Sequence, residues 1–577
     1  MHGITLIDWL VILAYLLGIT LVGVWTVRMV KSSTSFFISE RKFGTWMMIF
    51  FNFGTGTHSD QAVGVSAKAY RAGASAMWYQ LLWIFSTPLY WVIAPMFRRM
   101  RAVTTSDFFE ARFDRSVAVL YAVVAMLQLM VNIGVMLKGS SAVIEAVSGK
   151  AIDASFAVFA MTVMFVIYGV AGGLSAAVVT DFIQGILTIV LSFLILPFAL
   201  MAVGGMSGLH ASIENPDMLN VVSRGGEITA FYILIISLNG LVGYGTQPHT
   251  MSLCAAGRTE MQARVGMTCG MFVKRFCTVA WTLTGLCAVA LYVQHRNDPD
   301  FNVDHVYGLM AGDLLPKIAP GLVGLFIASM LAAVMSSCDA FMVASSALFT
   351  ENIYRKLIVT RASDRHYMFV GRLVSVLVVV AGIVFAFSLQ SVVQGLEIFW
   401  KVAAMMGLAF WAGLFWRRAT SAGAWAGTLA GFAAFLFTSE IKILDRLLWS
   451  FNGHFADKLP PFMLWDDKLY LPWQMIFYLT IGLVTLVVVS LLTRPVSEEK
   501  LERFYGCLRT PVGPDEPEVE PFTLPPGVEP APRRVLIDLP GFEIPMPTRV
   551  SVVGVLVAAL AVVAFIAGVY WIFSLGV

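Results

Sequence analysis

Long apolar stretches separated by short polar loops follow one another along almost the whole chain. The hydrocarbon core of a bilayer is about 30 Å thick and needs roughly 20 apolar residues per helix. The pattern therefore predicts an all-α polytopic membrane protein with about fourteen transmembrane helices. These spans are expected near residues 4–30, 44–67, 75–97, 116–146, 155–171, 175–203, 229–253, 267–293, 319–349, 367–389, 393–416, 421–440, 471–493 and 549–574.

The composition agrees with this interpretation. Hydrophobic residues make up 58% of the 577 residues and charged residues 13%, whereas about a quarter of a typical soluble protein is charged. The formal net charge of +3 is small and dispersed, so it does not indicate nucleic-acid binding. The N-terminal sequence MHGITLIDWL lacks the features of a cleaved signal peptide, so we expect it to remain in the first span.

The loops indicate the orientation of the chain, because Lys and Arg resist translocation across a membrane. Their distribution predicts a multi-pass protein of the plasma or inner membrane with both termini outside. Residues 494–548 are rich in proline and acidic residues, which predicts a cytoplasmic linker or regulatory strap without a packed core. The six cysteines form no CxxC pair, so neither a disulfide nor a metal cluster is expected.

Two spans contain signals for a broken helix. The second span includes NFGTGTHSD, and glycines, hydroxyls and a carboxylate at membrane depth are tolerated where the backbone lines a cavity. A loop between two shorter apolar pieces is the alternative. The seventh span contains NGLVGYGTQPHT, in which Pro248 predicts either a second break or an ordinary kink. Broken helices five spans apart are typical of transporters built from inverted repeats.

The ninth span carries two adjacent hydroxyls, Ser336 and Ser337, with Ala333 one turn earlier. On a helix all three can present oxygen atoms to one neighbouring groove. Hydroxyl and carbonyl oxygens suit a hard cation. Hydrogen bonds to the helix backbone or contacts between helices are the alternative role of such a serine pair.

These features together resemble the solute:sodium symporter family, which includes sodium-coupled sugar, proline, pantothenate and sialic acid carriers. The resemblance covers about residues 4–440 and rests on NFGTG, TTSDFFEARF, YGVAGGLSAAVVTDFIQG, GTQPHT, AAVMSSCD followed by LFTENIY, and GLFWRRATSAGAWAG, in this order. It implies a LeuT-type core of five plus five helices in inverted repeat and transport by alternating access.

The resemblance also implies an organisation of the chain into five parts. These are an N-terminal accessory span and loop at 1–43, a ten-helix transport core at 44–417, two accessory spans at 418–493, the proline-rich linker at 494–548 and a C-terminal span at 549–577. We find no HExxH, GxSxG or GxxxxGK[ST] pattern, so an enzyme or an ATP-driven pump is not expected. No oligomer is implied.

The family's main sodium site, transferred residue by residue, would use five oxygen atoms on the second and ninth spans. They are the backbone carbonyls of Phe50, Phe53 and Ala333 and the hydroxyls of Ser336 and Ser337. Na+ is therefore the expected coupling ion.

Asp181 is a carboxylate within a span, so it needs a cation or a hydrogen-bond partner. Some family members have a second sodium site that uses this Asp, Ser336 and two later hydroxyls, but here those two positions are Asp339 and Ala340. A modified second sodium site, a proton site and a structural, hydrogen-bonded Asp181 remain open.

The solute candidates lie in the two breaks and in the eighth span. They are Thr55, Thr57, His58, Asp60, Gln247, His249 and Lys274. Lys274 aligns with a lysine that contacts sugar in bacterial galactose carriers, although its ammonium could equally hold a carboxylate or simply snorkel. The GTQPHT motif looks more like the proline and pantothenate carriers, whereas the first break is longer than in sugar carriers.

The predicted function is import of a small polar organic solute, namely a sugar or polyol, an amino acid or a carboxylate, coupled to sodium. One alternative is a proton-coupled carrier of the same fold, with Asp181, Asp339 and His58 as its candidate groups. The other is a membrane sensor that keeps the carrier fold and signals through the proline-rich segment.

Overall fold

The computed structural model describes residues 4–576 except 28–43, 103, 297, 299, 444–445, 514–515, 518 and 540. Side chains are also left undescribed at residues 23–27, 168–179, 252, 441–443 and 446. The loop that ends the predicted N-terminal part, residues 28–43, therefore lies outside the described residues. The rest is overwhelmingly helical, which confirms the predicted all-α class.

The helices, in chain order, are α1 Leu6–Val27, α2 Thr45–Gly56, α3 Ser59–Ala72, α4 Trp78–Leu81, α5 Thr87–Arg99, α6 Thr105–Arg112, α7 Arg115–Val147, α8 Ala154–Leu194, α9 Leu196–Val203, α10 Gly205–Ser212, α11 Ala230–Tyr244, α12 Pro248–Ala255, α13 Glu260–Leu291, α14 Val306–Leu314, α15 Leu322–Ala347, α16 Asp364–Ser388, α17 Val392–Met405, α18 Gly407–Phe415, α19 Ser421–Phe437, α20 Phe451–Phe455, α21 Leu471–Leu492, α22 Glu498–Arg509 and α23 Arg549–Ser574. A π-helical segment, Leu348–Ile358, continues α15. Two small antiparallel hairpins pair β1 Glu440–Ile443 with β2 Arg446–Ser450 and β3 Leu464–Trp465 with β4 Lys468–Leu469.

Burial divides the long helices into a central and a peripheral group. In the described part of the chain, nine helical stretches are long and apolar enough to cross a membrane. The stretch 322–358, which contains α15, is 89% buried over its most apolar part, whereas α23 is only 22% buried. The exposed side chains of α23 are large hydrophobics such as Leu556, Leu560 and Val563. Helix α15 is therefore the centre of the bundle, and α23 presents its apolar surface to lipid.

Helices α2 and α3 pack along α13, and small residues allow the close approach. A Cβ atom added to Gly270 of α13 would lie 2.6 Å from the carbonyl oxygen of Ile49 and 2.8 Å from Cβ of Asn52. Helix α15 in turn packs against α1, α7, α8 and α16. The interrupted second span is thus held between α13 on one side and the α8 and α15 pair on the other.

Helix α8 differs from the prediction. Two spans were expected at 155–171 and 175–203, but the backbone is helical from Ala154 to Leu194. The segment contains no proline, and the Gly172 and Gly173 pair permits a turn without imposing one. The helical run ends just before Pro197, which removes a backbone donor.

We call residues 494–548 the strap, and its described residues fold against one end of the bundle. Helix α22 within the strap buries Leu501, Phe504 and Tyr505. Glu516 of the strap accepts hydrogen bonds from Arg101, whose side chain is fully buried. The prediction of a linker without a packed core is therefore wrong for this part, because the amphipathic pattern of 498–509 supplies an apolar face despite the neighbouring prolines.

Candidate functional site

The second span is broken at Thr57 and His58, as predicted. Helix α2 ends at Gly56, helix α3 begins at Ser59, and the two residues between them have extended backbones. The Thr57 N–H donates to the carbonyl of Gly54 at 3.4 Å, instead of to the carbonyl of Phe53 as a continuing helix would require. The Phe53 carbonyl thereby loses its helical donor.

Side chains hold this break in place. The Nε2 of His58 donates to the carbonyl of Thr55 at 2.8 Å, and Nζ of Lys274 donates to the carbonyl of Gly56 at 2.8 Å. The Oε1 of Gln61 accepts from the N–H of His58 at 3.2 Å, which caps α3. The break therefore has a defined geometry, with two of its carbonyls already accepting hydrogen bonds from the side chains of His58 and Lys274.

Ser336 and Asp181 meet beside the end of α2. The Ser336 hydroxyl donates to Oδ1 of Asp181 at 2.6 Å, and Thr55 donates to Oδ2 of the same carboxylate at 3.5 Å. A Cβ atom built on Gly54 would lie 3.5 Å from Oγ of Ser336 and 3.4 Å from the carbonyl oxygen of Asp181. Three helices, α2, α8 and α15, thus bring oxygen atoms to one buried point, which we call the oxygen cluster.

The other predicted sodium ligands, Ser337, Ala333 and Phe50, are buried near the oxygen cluster or lie one helical turn from it. Ser337 is 0% exposed, and its hydroxyl has no hydrogen-bond partner among the described residues. Ala333 is buried one turn earlier on the same helix. Phe50 lies one turn back from Gly54 inside α2, and its carbonyl is 3.9 Å from a Cβ atom built on Gly185. The hydrogen bond between Ser336 and Asp181 lies beside Gly54, close to the end of α2. This is also the end of the helix where the break leaves the Phe53 carbonyl without its helical donor.

Asp339 lies one turn beyond Ser336 and is 1% exposed. It interacts electrostatically with Tyr15 of α1, whose hydroxyl accepts a hydrogen bond from Nε2 of Gln184 at 3.3 Å. The sequence alone gave no reason to connect α1 with this part of the molecule.

The seventh span is broken as well. Helix α11 ends at Tyr244 and α12 begins at Pro248. The connecting residue Thr246 donates from its hydroxyl to the carbonyl of Ala403 at 2.9 Å, and its own carbonyl accepts from the hydroxyl of Tyr121 at 3.0 Å. These bonds tie the second break to α17 and α7.

A small cavity, about 30 Å³ in volume, lies between the two breaks. This is room for about two water molecules. Its lining residues are Gly56, His58, Gln61, Trp83, Tyr90, Tyr244, Gln247, His249, Met271, Lys274, Arg275 and Phe399. The two breaks and helix α13 therefore converge on one small space lined by polar and aromatic side chains.

Four of the seven predicted solute residues line this cavity: His58, Gln247, His249 and Lys274. The other three are placed elsewhere. Thr55 faces the oxygen cluster through Asp181, and the buried hydroxyl of Thr57 has no hydrogen-bond partner in the described part of the chain. Asp60 packs against α7, where its Cα is 3.1 Å from a Cβ atom built on Gly139, and its carboxylate is 3.7 Å from Nδ1 of His58.

Sequence reasoning missed several residues of the cavity wall, above all Arg275, Trp83 and Tyr90. Arg275 directly follows Lys274 within an apolar span, and this pair of adjacent basic residues was an available signal. The aromatic residues gave no such signal, because aromatic side chains are common at membrane interfaces and in helix packing.

Helix α15 connects the oxygen cluster to the cavity. Its Phe341 ring lies 5.3 Å from the His58 ring and 5.6 Å from the His249 ring, measured between centroids. One helix thus carries the serine pair and also contacts both breaks. A movement of α15 would act on both sites together.

Comparison with known proteins places this geometry in a family. Residues 36–431 match the model of the sodium:solute symporter family. The sodium/glucose cotransporter of Vibrio parahaemolyticus is 23% identical over 496 residues, which cover 78% of this chain and 89% of that protein. The osmoregulated proline transporter of Bacillus subtilis (strain 168) is 25% identical over 446 residues, which cover 73% of this chain and 86% of that protein.

The fold comparison agrees. A solved structure of a sodium-coupled sialic acid symporter in a substrate-bound, outward-open state superposes with a TM-score of 0.70 at 20% sequence identity, covering 86% of this chain and 99% of that chain. The predicted LeuT-type fold is thereby confirmed, and the match to the sodium:solute symporter family confirms Na+ as the coupling ion. This chain belongs to the sodium:solute symporter family and is a multi-pass, sodium-coupled carrier of small solutes, not an enzyme.

Proposed function

We propose that Na+ binds at the oxygen cluster, between the end of α2, Asp181 of α8 and the serine pair of α15. The observation that carries this assignment is the meeting of Ser336 and Asp181 beside Gly54, next to the backbone freed by the first break. The proposed ligands are the hydroxyls of Ser336 and Ser337 together with carbonyls of Ala333 and of the α2 end, including Phe53.

The donor set suits an alkali cation. It consists of hydroxyl and carbonyl oxygens with one carboxylate, which are the ligands of hard cations. The Ser337 hydroxyl, buried without a hydrogen-bond partner among the described residues, would be satisfied by such an ion. Asp181 would share its charge with the ion through Ser336, and Asp339 and Tyr15 would form an outer polar layer or a second cation or proton site.

We further propose that the solute binds in the cavity between the breaks. Thr55 supports a direct coupling route, since its hydroxyl contacts Asp181 while its carbonyl accepts from the cavity residue His58. An ion that orders Thr55 would also order His58, so that sodium would favour the form of the cavity that binds solute. By linkage, the solute would raise the affinity for sodium by the same factor.

The orientation proposed from the loops has structural support. Ion pairs join Arg99 to Glu260, Lys356 to Glu110 and Arg417 to Glu543 at one end of the bundle, where the strap also lies. A face rich in Arg and Lys is cytoplasmic by the positive-inside rule.

Contacts of the terminal helices support the same orientation. Asp8 of α1 accepts from the N–H of Gly324 at the start of α15, which is the end away from that basic face. The carbonyl of Phe573, in α23, lies 3.1 Å from Nε2 of His210, in a segment far from the basic loops. Both termini would then face outside.

The test of this function is sodium-driven uptake into proteoliposomes, combined with sodium-dependent thermal stabilisation of the purified protein. Replacing Ser336 and Ser337 together by Ala should weaken the sodium response strongly. The matched control is Ser345→Ala in the same helix, since the Ser345 hydroxyl donates only to the carbonyl of Phe341 among its described contacts. An unchanged sodium response in the double variant would refute the site, and uptake driven by a proton gradient without sodium would refute the coupling ion.

A further inference from the structure

The cavity between the breaks carries an excess of positive charge. Its wall includes Lys274 and Arg275, which are 5% and 1% exposed, and no carboxylate is found among its described lining residues. Asp60, just outside the wall, interacts electrostatically with Lys274. Lys274 and Asp60 contribute no net charge as a pair, whether both are ionised or both are neutral. Arg275 adds one positive charge in either case, because a guanidinium keeps its proton in proteins.

The immediate neighbours of Arg275 do not neutralise this charge. One Nη1 hydrogen is donated to the carbonyl of Gln80 at 2.8 Å, and the phenols of Tyr90 and Tyr244 face the guanidinium. Carbonyls and phenols are uncharged near neutral pH. A side-chain hydrogen bond also joins Arg275 to Tyr90, but its partner is again an uncharged phenol. A buried charge is costly unless an opposite charge pairs with it, so the missing partner is expected to come with a ligand.

We infer that the transported solute is a small organic anion with one carboxylate and no cationic group, and that Arg275, assisted by Lys274, binds this carboxylate. The inference rests on the proposed function, because it requires the cavity to be the solute site. The planar fork of a guanidinium matches the two oxygens of a carboxylate. A neutral sugar would leave the charge of Arg275 uncompensated, and a zwitterion would bring a second cation to a wall that offers it no carboxylate.

The rest of the wall fits a hydroxylated body attached to the carboxylate. Gln247 and His249 can each donate and accept hydrogen bonds, and Nε1 of Trp83 has no acceptor in the part of the chain that the structure describes. The rings of Tyr90 and Tyr244 stack at 4.2 Å between centroids and form a flat side of the wall. The solute class is therefore hydroxy acids and sugar acids. The cavity has to widen from its present volume to admit them.

The experiment uses the full-length purified protein and acids paired with their uncharged counterparts. The pairs are lactate with propane-1,2-diol, glycerate with glycerol, gluconate with glucitol and glucuronate with glucose, and proline serves as a zwitterion. Thermal stabilisation is measured with each compound in sodium and in potassium. At least one acid should stabilise the protein in sodium at a concentration about tenfold or more below that of its counterpart, since a hydrogen bond to a charged group contributes about 1.5–3 kcal/mol.

Variants of Arg275 then test the residue itself. Arg275→Gln should abolish the preference for the acid, Arg275→Lys should retain part of it, and Arg264→Gln on the same helix outside the cavity should leave it intact. Sodium alone should stabilise all three variants, since the oxygen cluster is unchanged. The inference would be overturned if no acid stabilised the unmodified protein more strongly than its uncharged counterpart. It would also be overturned if the preference for the acid survived in Arg275→Gln. The first result does not depend on a variant, so it remains decisive even if a variant folds poorly. Failure of the proposed function is distinguishable, since sodium alone would then have no effect.

Discussion

Replacing Gly54 by Ala should weaken sodium binding while preserving the fold. The added methyl group would lie 3.4 Å from the carbonyl oxygen of Asp181 and 3.5 Å from Oγ of Ser336, which are ordinary van der Waals distances. Alanine favours a helix over glycine by up to about 1 kcal/mol, so stability should stay equal or rise. The methyl group would occupy the oxygen cluster without offering a ligand. Loss of one oxygen contact to a charged group is worth about 1.5–3 kcal/mol, or about 10-fold to 150-fold in apparent sodium affinity.

Sodium titrations followed by thermal unfolding give the stability of each variant and its apparent sodium affinity from one experiment. The matched control is Gly185→Ala on α8, whose methyl group would lie 3.6 Å from the rings of Phe50 and Phe53 and 3.9 Å from the carbonyl oxygen of Phe50, all ordinary van der Waals distances. It should gain the same helix propensity and keep its sodium affinity. If Gly54→Ala binds sodium as tightly as the unmodified protein, or if both variants lose affinity equally, the ion does not sit beside Gly54.

Two further predictions concern groups outside the membrane. Replacing Glu516 by Gln removes the carboxylate that pairs with the buried Arg101, which costs about 3 kcal/mol or more. Limited proteolysis should therefore cut the strap faster in this variant than in the control Asp538→Asn, whose ion pair is exposed. Equal cutting rates would contradict the docking of the strap. Burial alone would raise the pKa of Asp217 in the loop before α11, but hydrogen bonds led by the backbone N–H of Arg224 lower it from 3.8 to about 2. The stability that this carboxylate gives its loop should therefore be present above about pH 4 and be lost toward pH 2, as measured by hydrogen exchange at Arg224; the same loss in Asp217→Asn would show that another group is responsible.

The two breaks and the serine pair could be predicted from the sequence because each carries a local physical signal. Glycines and hydroxyls at Gly54 to Thr57 weaken a helix in place, and Pro248 removes a backbone donor. The adjacent hydroxyls of Ser336 and Ser337 stand out as polar residues within an apolar span. Such signals need no knowledge of the neighbouring helices.

The composition of the cavity wall could not be predicted, because it depends on which helices meet. Trp83 and Tyr90 belong to an aromatic segment of the kind that is common at membrane interfaces. Only the fold brings them to the same cavity as Arg275. Which backbone carbonyl the break frees could not be predicted either, for a related reason. The Thr57 N–H donates to the Gly54 carbonyl and not to the Phe53 carbonyl, and the sequence of the break does not state where the last helical hydrogen bond forms.

The strap also joins helix ends that lie apart in the sequence. It touches three helix ends at once, through Arg101 before α6, Glu260 at the start of α13 and Arg417 after α18. Any motion that parts these ends has to break contacts made by the strap, which lies far from the ion and the solute. Substitutions in this peripheral segment are therefore expected to change how often the carrier cycles without altering any group that we assign to the ion or the solute.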